Sequence, residues 1–167
     1  MSRGFVKEGD QEEPAIIPPR AALPAGVTNY VTLDGLEELK AEKETLENER
    51  ANITVEDEAE KRRMHATVDG KLNLLIERIN SARVLKAEDQ HQDEVRFGAS
   101  VKIKNLSTNT FQDFQIVGVD EANVKKKKIA FVAPIATAIT GKKVGEVAEF
   151  KLGNESRNLE IIEIKYS

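Results

Sequence analysis

The chain has 167 residues, 40% of them hydrophobic, 32% charged and 5% aromatic, with no tryptophan and no cysteine. That is enough apolar material for the core of one or two domains, and the lack of cysteine excludes disulfides and thiolate metal sites. No apolar run approaches the ~18 residues of a membrane span, and the start "MSRGFVKEGDQEEP" lacks the hydrophobic stretch of a secretory signal, so a soluble cytoplasmic protein without membrane contact is expected.

The net charge of −4 conceals an asymmetry, since residues 32–84 hold 9 basic and 13 acidic groups whereas residues 95–167 hold 12 and 8. An acidic middle followed by a basic end implies two modules. Residues 1–29 carry Pro14, Pro18, Pro19 and Pro24 among small and acidic residues, a composition that favours a flexible or extended arm. From residue 30 the pattern becomes helical. Thr32 is placed to cap a helix, Asp34 suits its first turn, and Leu36, Leu39, Leu46 and Ile53 follow at steps of 3, 7 and 7, with Lys43 and Arg50 in the intervening seam positions. A second stripe, Met64, Val68, Leu72, Leu75, Ile79 and Ala82, runs at helical spacing, and Thr54 with Asp57 resembles a capping box for its helix. Two such stripes on neighbouring helices predict an antiparallel coiled-coil hairpin over residues 30–84, with arms roughly 30 and 40 Å long.

The tip of that hairpin reads "ITVEDEAEKRR" and concentrates Glu56, Asp57, Glu58 and Glu60. Acidic residues in a first helical turn are stabilised by the macrodipole at about 0.3–1 kcal/mol each, which accounts for the cluster without any ligand. The other reading is a set of carboxylates that acts on a metal ion held by a partner.

Residues 85–94 form a linker. Beyond it, short β-branched and aromatic runs at 95–105, 111–119, 128–134, 147–153 and 157–166 alternate with turn residues and predict an antiparallel sheet. "PIATAITG" is the exception, a short helix opened by Pro134 and closed by Gly141. The fold class is therefore α+β, a helical hairpin followed by a β-sheet domain over 95–167. His65 and His91 are isolated, Gly141-Lys142-Lys143 lacks the upstream glycine of a P-loop, and no serine, histidine and acid constellation is visible. Intrinsic catalysis is not expected. Lys125-Lys126-Lys127-Lys128 could touch phosphates, but without interleaved aromatics a solvated turn is the simpler reading.

Tyr30-Val31-Thr32 with Gly35, Leu36 and Leu39, then Phe97-Gly98-Ala99, Ile116-Val117-Gly118 with Asp120-Glu121-Ala122, Ala133-Pro134-Ile135-Ala136, Gly141-Lys142 and Val144-Gly145 occur in an order and spacing that resembles the GreA/GreB transcription elongation factors. The resemblance covers residues 30–167 and implies an FKBP-like C-terminal domain that docks on bacterial RNA polymerase through Ala133, Pro134, Ile135 and Ala136. It also implies a coiled-coil tip that enters the secondary channel of the enzyme. Asp57 and Glu60 reproduce the family's Asp-x-x-Glu tip, whose acids help retain polymerase Mg²⁺ during transcript cleavage. Lys61 stands where the family has asparagine, Met64 where it has an aromatic, and each arm is shorter by about one heptad, or ~10 Å, as in the shorter Rnk-like proteins. The implied function is a polymerase-binding regulator of elongation or cleavage, and its charged seam positions favour a monomer over a dimer. It would have no cofactor beyond shared Mg²⁺, and would meet DNA or other nucleic acid only indirectly through the elongation complex. Two alternatives are a polymerase-binding regulator that does not stimulate cleavage and an FKBP-like peptidyl-prolyl isomerase or chaperone.

Overall fold

The computed structural model describes residues 14–166, so residues 1–13 of the expected arm lie outside the described range. The described chain divides into two compact units, residues 14–20 with Leu39–Asn80, and Ala21–Glu38 with residues 81–166.

In the first unit, α1 (Leu33–Ala51) and α2 (Glu58–Ser81) are joined by residues 52–57. The buried seam is narrower than the sequence stripes. Leu39 and Leu46 of α1 and Val68 and Leu75 of α2 are buried, each pair seven residues apart as a heptad requires, while Met64 is 36% exposed. Lys43 pairs with Glu47 along its own helix at 3.5 Å. Arg50 reaches across to Asp69 of α2 at 2.6 Å, and donation from its guanidinium holds the Asp69 carboxyl below its ordinary range. Both groups are well exposed, so the pair fixes alignment more than it adds stability. Residues 14–20 have no regular secondary structure, in keeping with their prolines, but they are not a free arm: Arg20 forms two hydrogen bonds to Glu42, at 2.6 and 3.0 Å.

The second unit is built on a five-stranded sheet of β3 (Ser100–Asn105), β4 (Thr110–Val117), β5 (Lys128–Ala130), β6 (Val147–Leu152) and β7 (Glu155–Lys165), in the order β5-β4-β3-β7-β6. Alternation along β3 sends Val101 and Ile103 inward, where they meet Phe114, Ile116, Leu159 and Ile161 and the buried face of α3 (Pro134–Ile139). The expected all-antiparallel sheet is corrected at one edge, because β4 and β5 run parallel, with Gln115 opposite Lys128. The reason lies in residues 118–127. A 3₁₀ turn at Val124–Lys126 and a left-handed Lys127 (φ 58°) bring the chain back beside Gln115, near the end of β4, in place of a tight hairpin.

A second, two-stranded parallel sheet was not legible in the sequence. It pairs β1 (Tyr30–Val31) with β2 (Arg83–Val84), joining the chain just before α1 to the chain just after α2. Tyr30 packs its ring against Phe97 and Phe131 at centroid distances of 6.0 and 5.8 Å. Thr32 caps α1 as expected, its hydroxyl accepting from the Gly35 amide at 2.9 Å, and the same hydroxyl donates to Glu121 Oε1 at 2.5 Å. Lys128 Nζ donates to Glu121 Oε2 at 3.1 Å, and the Glu121 side chain is only 3% exposed. The surroundings leave no room for side chains on two glycines. A Cβ on Gly35 would stand 2.6 Å from Glu121 Oε1, and one on Gly118 would stand 2.6 Å from the Tyr30 carbonyl oxygen.

Removing the carboxylate strands a half-buried ammonium and a half-buried hydroxyl. We expect Glu121→Ala to cost about 2–4 kcal/mol and Glu121→Gln about half as much, measured by denaturant unfolding. The pH dependence has a definite sign. Hydrogen bonding to Glu121 raises the Lys128 pKa above 10.5, so its stabilisation is complete below that pH and is lost as pH climbs through the raised folded-state value. Lys128→Met should flatten this alkaline loss, as read by unfolding at stepped pH between about 9 and 12.

Candidate functional site

The tip begins where α1 runs out. Its last carbonyls are satisfied locally, Asn48 accepting from both the backbone amide and the side chain of Asn52 at 3.1 and 2.9 Å. Five residues later Asp57 opens α2. Its Oδ1 accepts from the amides of Ala59 at 2.9 Å and Glu60 at 3.3 Å, and its carbonyl accepts the first helical bond from Lys61 at 2.8 Å. Asp57 is thus the N-cap. The expectation that Thr54 caps this helix is corrected: Thr54 lies four residues before the first helical residue, beyond reach of the unpaired amides.

Glu58 and Glu60 occupy the first turn of α2, and Glu56 precedes the cap. All four acids are exposed. The macrodipole offsets their mutual repulsion, and Asp57 alone has an oxygen committed to helix amides. Among the described residues no group of three or more histidines or acids is arranged to hold a metal ion. What the tip presents by itself is four exposed carboxylates at the start of α2, followed directly by Lys61, Arg62 and Arg63.

The second candidate is the loop into α3. Ala133 is its extended N-cap residue, Pro134 takes the first helical position, and Gly141 follows at φ +86°. The four residues expected to dock do not share an environment. Pro134 is exposed, Ala133 and Ile135 are half-buried against the core, and Ala136 is completely buried. Ala136 is therefore corrected from a contact residue to a core residue, because helical spacing turns it toward Ile116 and Ile161 one position after Ile135 turns partly away. Thr137, exposed one turn on from Pro134, shares the surface and was not foreseen.

The lysine run is also divided. Lys125, Lys126 and Lys127 are exposed, whereas Lys128 is held by Glu121. The aromatics expected at a prolyl pocket are used in packing. Phe97 and Phe114 are buried, Phe131 and Phe150 lie against the core, and the Tyr166 hydroxyl accepts from the Arg96 amide at 2.9 Å and donates to the Glu94 carbonyl at 2.6 Å. Phe111 faces solvent between the ammonium groups of Lys102 and Lys104, 5.2 and 5.6 Å from its centroid. Among the described residues no helix is long and apolar enough to cross a membrane.

Comparison with known proteins bears on the second unit. Residues 89–166 match the family model for the C-terminal part of the GreA/GreB transcription elongation factors. Residues 89–166 are thus similar to the C-terminal domain of these factors. It is 38% identical over 98 residues to transcription elongation factor GreA of Bartonella henselae, covering 59% of this chain and 62% of that protein. It is 33% identical over 105 residues to GreA of Thermodesulfovibrio yellowstonii, covering 63% and 66%. This chain therefore spans just under two thirds of these relatives. GreA factor homolog 1 of Thermus thermophilus, a solved structure, aligns with 83% of this chain and 99% of its own at 19% identity and a TM-score of 0.38. The matched GreA/GreB region contains Gly118, Glu121 and the Pro134 loop, while the acidic tip lies outside it.

Capping and any further role of Asp57 are separable. Asp57→Ala should destabilise the first turn of α2 by about 1 kcal/mol, Asp57→Ser should retain most of the cap, and Thr54→Ala should change little. Amide exchange at residues 58–62 reads all three variants.

Proposed function

We propose that this chain is an RNA polymerase-binding transcription elongation factor, docking through its C-terminal domain and inserting the acidic hairpin tip into the secondary channel. The observation that carries this proposal is the GreA/GreB C-terminal domain at residues 89–166 in one chain with a hairpin whose tip keeps Asp57 and Glu60 three positions apart. Within the second unit, Pro134 and Thr137 are the docking residues, since they present surface while Ala136 and most of Ile135 support the core. The protein acts as a monomeric cytoplasmic factor without chemistry or cofactor of its own. Arg50, the seam charge best placed to meet a second copy, is already paired with Asp69 inside the hairpin. Nucleic acid is reached only through the elongation complex.

The tip modulates the polymerase by charge more than by metal coordination. One oxygen of Asp57 is committed to the amides of Ala59 and Glu60, and full coordination would have to compete with those bonds. Four exposed carboxylates still set up a strong local field toward Mg²⁺ and nucleotides. Docking with weak stimulation of cleavage is the consequence.

A pull-down with core RNA polymerase, followed by incubation with a stalled elongation complex and a cleavage-active GreA factor, separates docking from chemistry. The wild type should bind and reduce GreA-driven cleavage in proportion to occupancy. Pro134→Asp with Thr137→Asp should weaken both effects at least ~10-fold, about 1.4 kcal/mol, with circular dichroism unchanged. Asp57→Ser with Glu60→Ala should compete within about twofold of wild type, because the cap survives and docking lies elsewhere. Failure of the wild type to bind polymerase would overturn the assignment. Rapid shortening of the transcript by the wild type, lost in the Asp57/Glu60 variant, would instead show the acids holding metal.

A further inference from the structure

Gly70 sits in the middle of the 24-residue helix α2, where glycine costs about 1 kcal/mol relative to alanine. The space over it is taken. A Cβ at this position would stand 2.0 Å from Ile17 Cδ1, 2.6 Å from Cγ1 and 3.3 Å from Cγ2, so the Ile17 side chain lies in the notch that the missing Cβ leaves. Three residues on, Arg20 reaches α1, where Nη1 and Nη2 donate to the two carboxylate oxygens of Glu42 at 2.6 and 3.0 Å. The Arg20 side chain is 17% exposed. Pro18 and Pro19 lie between these two anchors, fixing an extended backbone whose ordering on docking costs little entropy. An open cleft of about 590 Å³ remains beside the segment, lined by Ile17, Pro19 and Arg20 on one side and by Leu74 and Glu77 of α2 on the other.

We propose that residues 17–20 are a strap, and that Gly70 with Glu42 forms a peptide seat on the flank of the hairpin. The seat takes an aliphatic side chain, two prolines and a guanidinium in that order, and here the chain fills it itself. One anchor is on each helix, so the strap ties α2 to α1. Its mechanical effect follows from the poverty of the seam: among the described residues of this unit the buried apolar ones are Leu39, Leu46, Val68 and Leu75, and two short apolar layers do not make a stiff hairpin in water. A third element that crosses both helices raises the free energy of opening. The partly exposed Ile17 and the adjoining cleft keep the strap exchangeable, so a competing segment of the same chemistry could replace it.

Amide hydrogen exchange on the full-length chain tests the strap. Ile17→Asp and Glu42→Arg should each accelerate exchange in residues 39–80 by about three- to tenfold, with residues 95–166 unaffected, which also reports that the variants fold. The double reversal Arg20→Glu with Glu42→Arg should return exchange to within about twofold of wild type. Gly70→Ala supplies a test of sign. Helix propensity alone, at about 1 kcal/mol or roughly fivefold in an opening constant, slows exchange in α2, whereas ejection of Ile17 cancels or reverses that gain. Unchanged exchange in both single variants, absence of rescue by the double reversal, or a fivefold slowing in Gly70→Ala would each overturn the strap.

Discussion

The structure depends on one buried carboxylate. An ionised glutamate taken out of water costs several kcal/mol unless its oxygens are matched, and Glu121 is matched on both sides, by the Thr32 hydroxyl and the Lys128 ammonium. The carboxylate and its two partners come from three separate places in the chain: the turn after β4, the cap of α1, and the start of β5. Satisfying the charge therefore fixes where the helix begins and how the chain returns to the sheet. The same node explains the two tight glycines. Gly35 leaves room for the carboxylate and Gly118 for the backbone of Tyr30, so neither is present for conformational freedom.

Fixing the helix start in this way has a consequence for the hairpin. With α1 held at its root by Thr32, and with β1 and β2 pairing across the two ends of the helical excursion, the chain leaves and re-enters the second unit at neighbouring points. The seam beyond that root is thin, and its alignment relies on polar pairs as much as on leucines. Arg50 with Asp69 and Arg20 with Glu42 set register where apolar burial is insufficient to do so.

Function and folding compete for the same side chains at both candidate sites. At the tip, the first-turn acids are favoured by the helix before any partner is considered, and Asp57 is the residue that the helix uses most. At the Pro134 loop, a stretch that reads as one motif is split by helical geometry into a surface half and a core half. A motif read along the chain gives no information about which of its residues face outward.

The sequence by itself determined the two long helices, the strands of the larger sheet and the short helix, and their order. Heptad spacing of Leu39, Leu46, Val68 and Leu75, the Thr32 cap and the Pro134-to-Gly141 bracket are local signals, set by backbone geometry within a few residues, and all appear in the structure. The family resemblance was legible for a related reason, since its scattered pieces are the residues that the joint and core demand. Tertiary structure alone decided what depends on contacts distant in sequence. The Glu121 node spans 89 residues to Thr32, the parallel β4–β5 edge depends on the path of residues 118–127, and the burial of Ala136 depends on strands that lie both before and after it in the chain. Gly70 is the sharpest case. In the sequence it is only a weak point in a helix, and its meaning appears when Ile17, more than fifty positions earlier, is found occupying the space where its side chain would be.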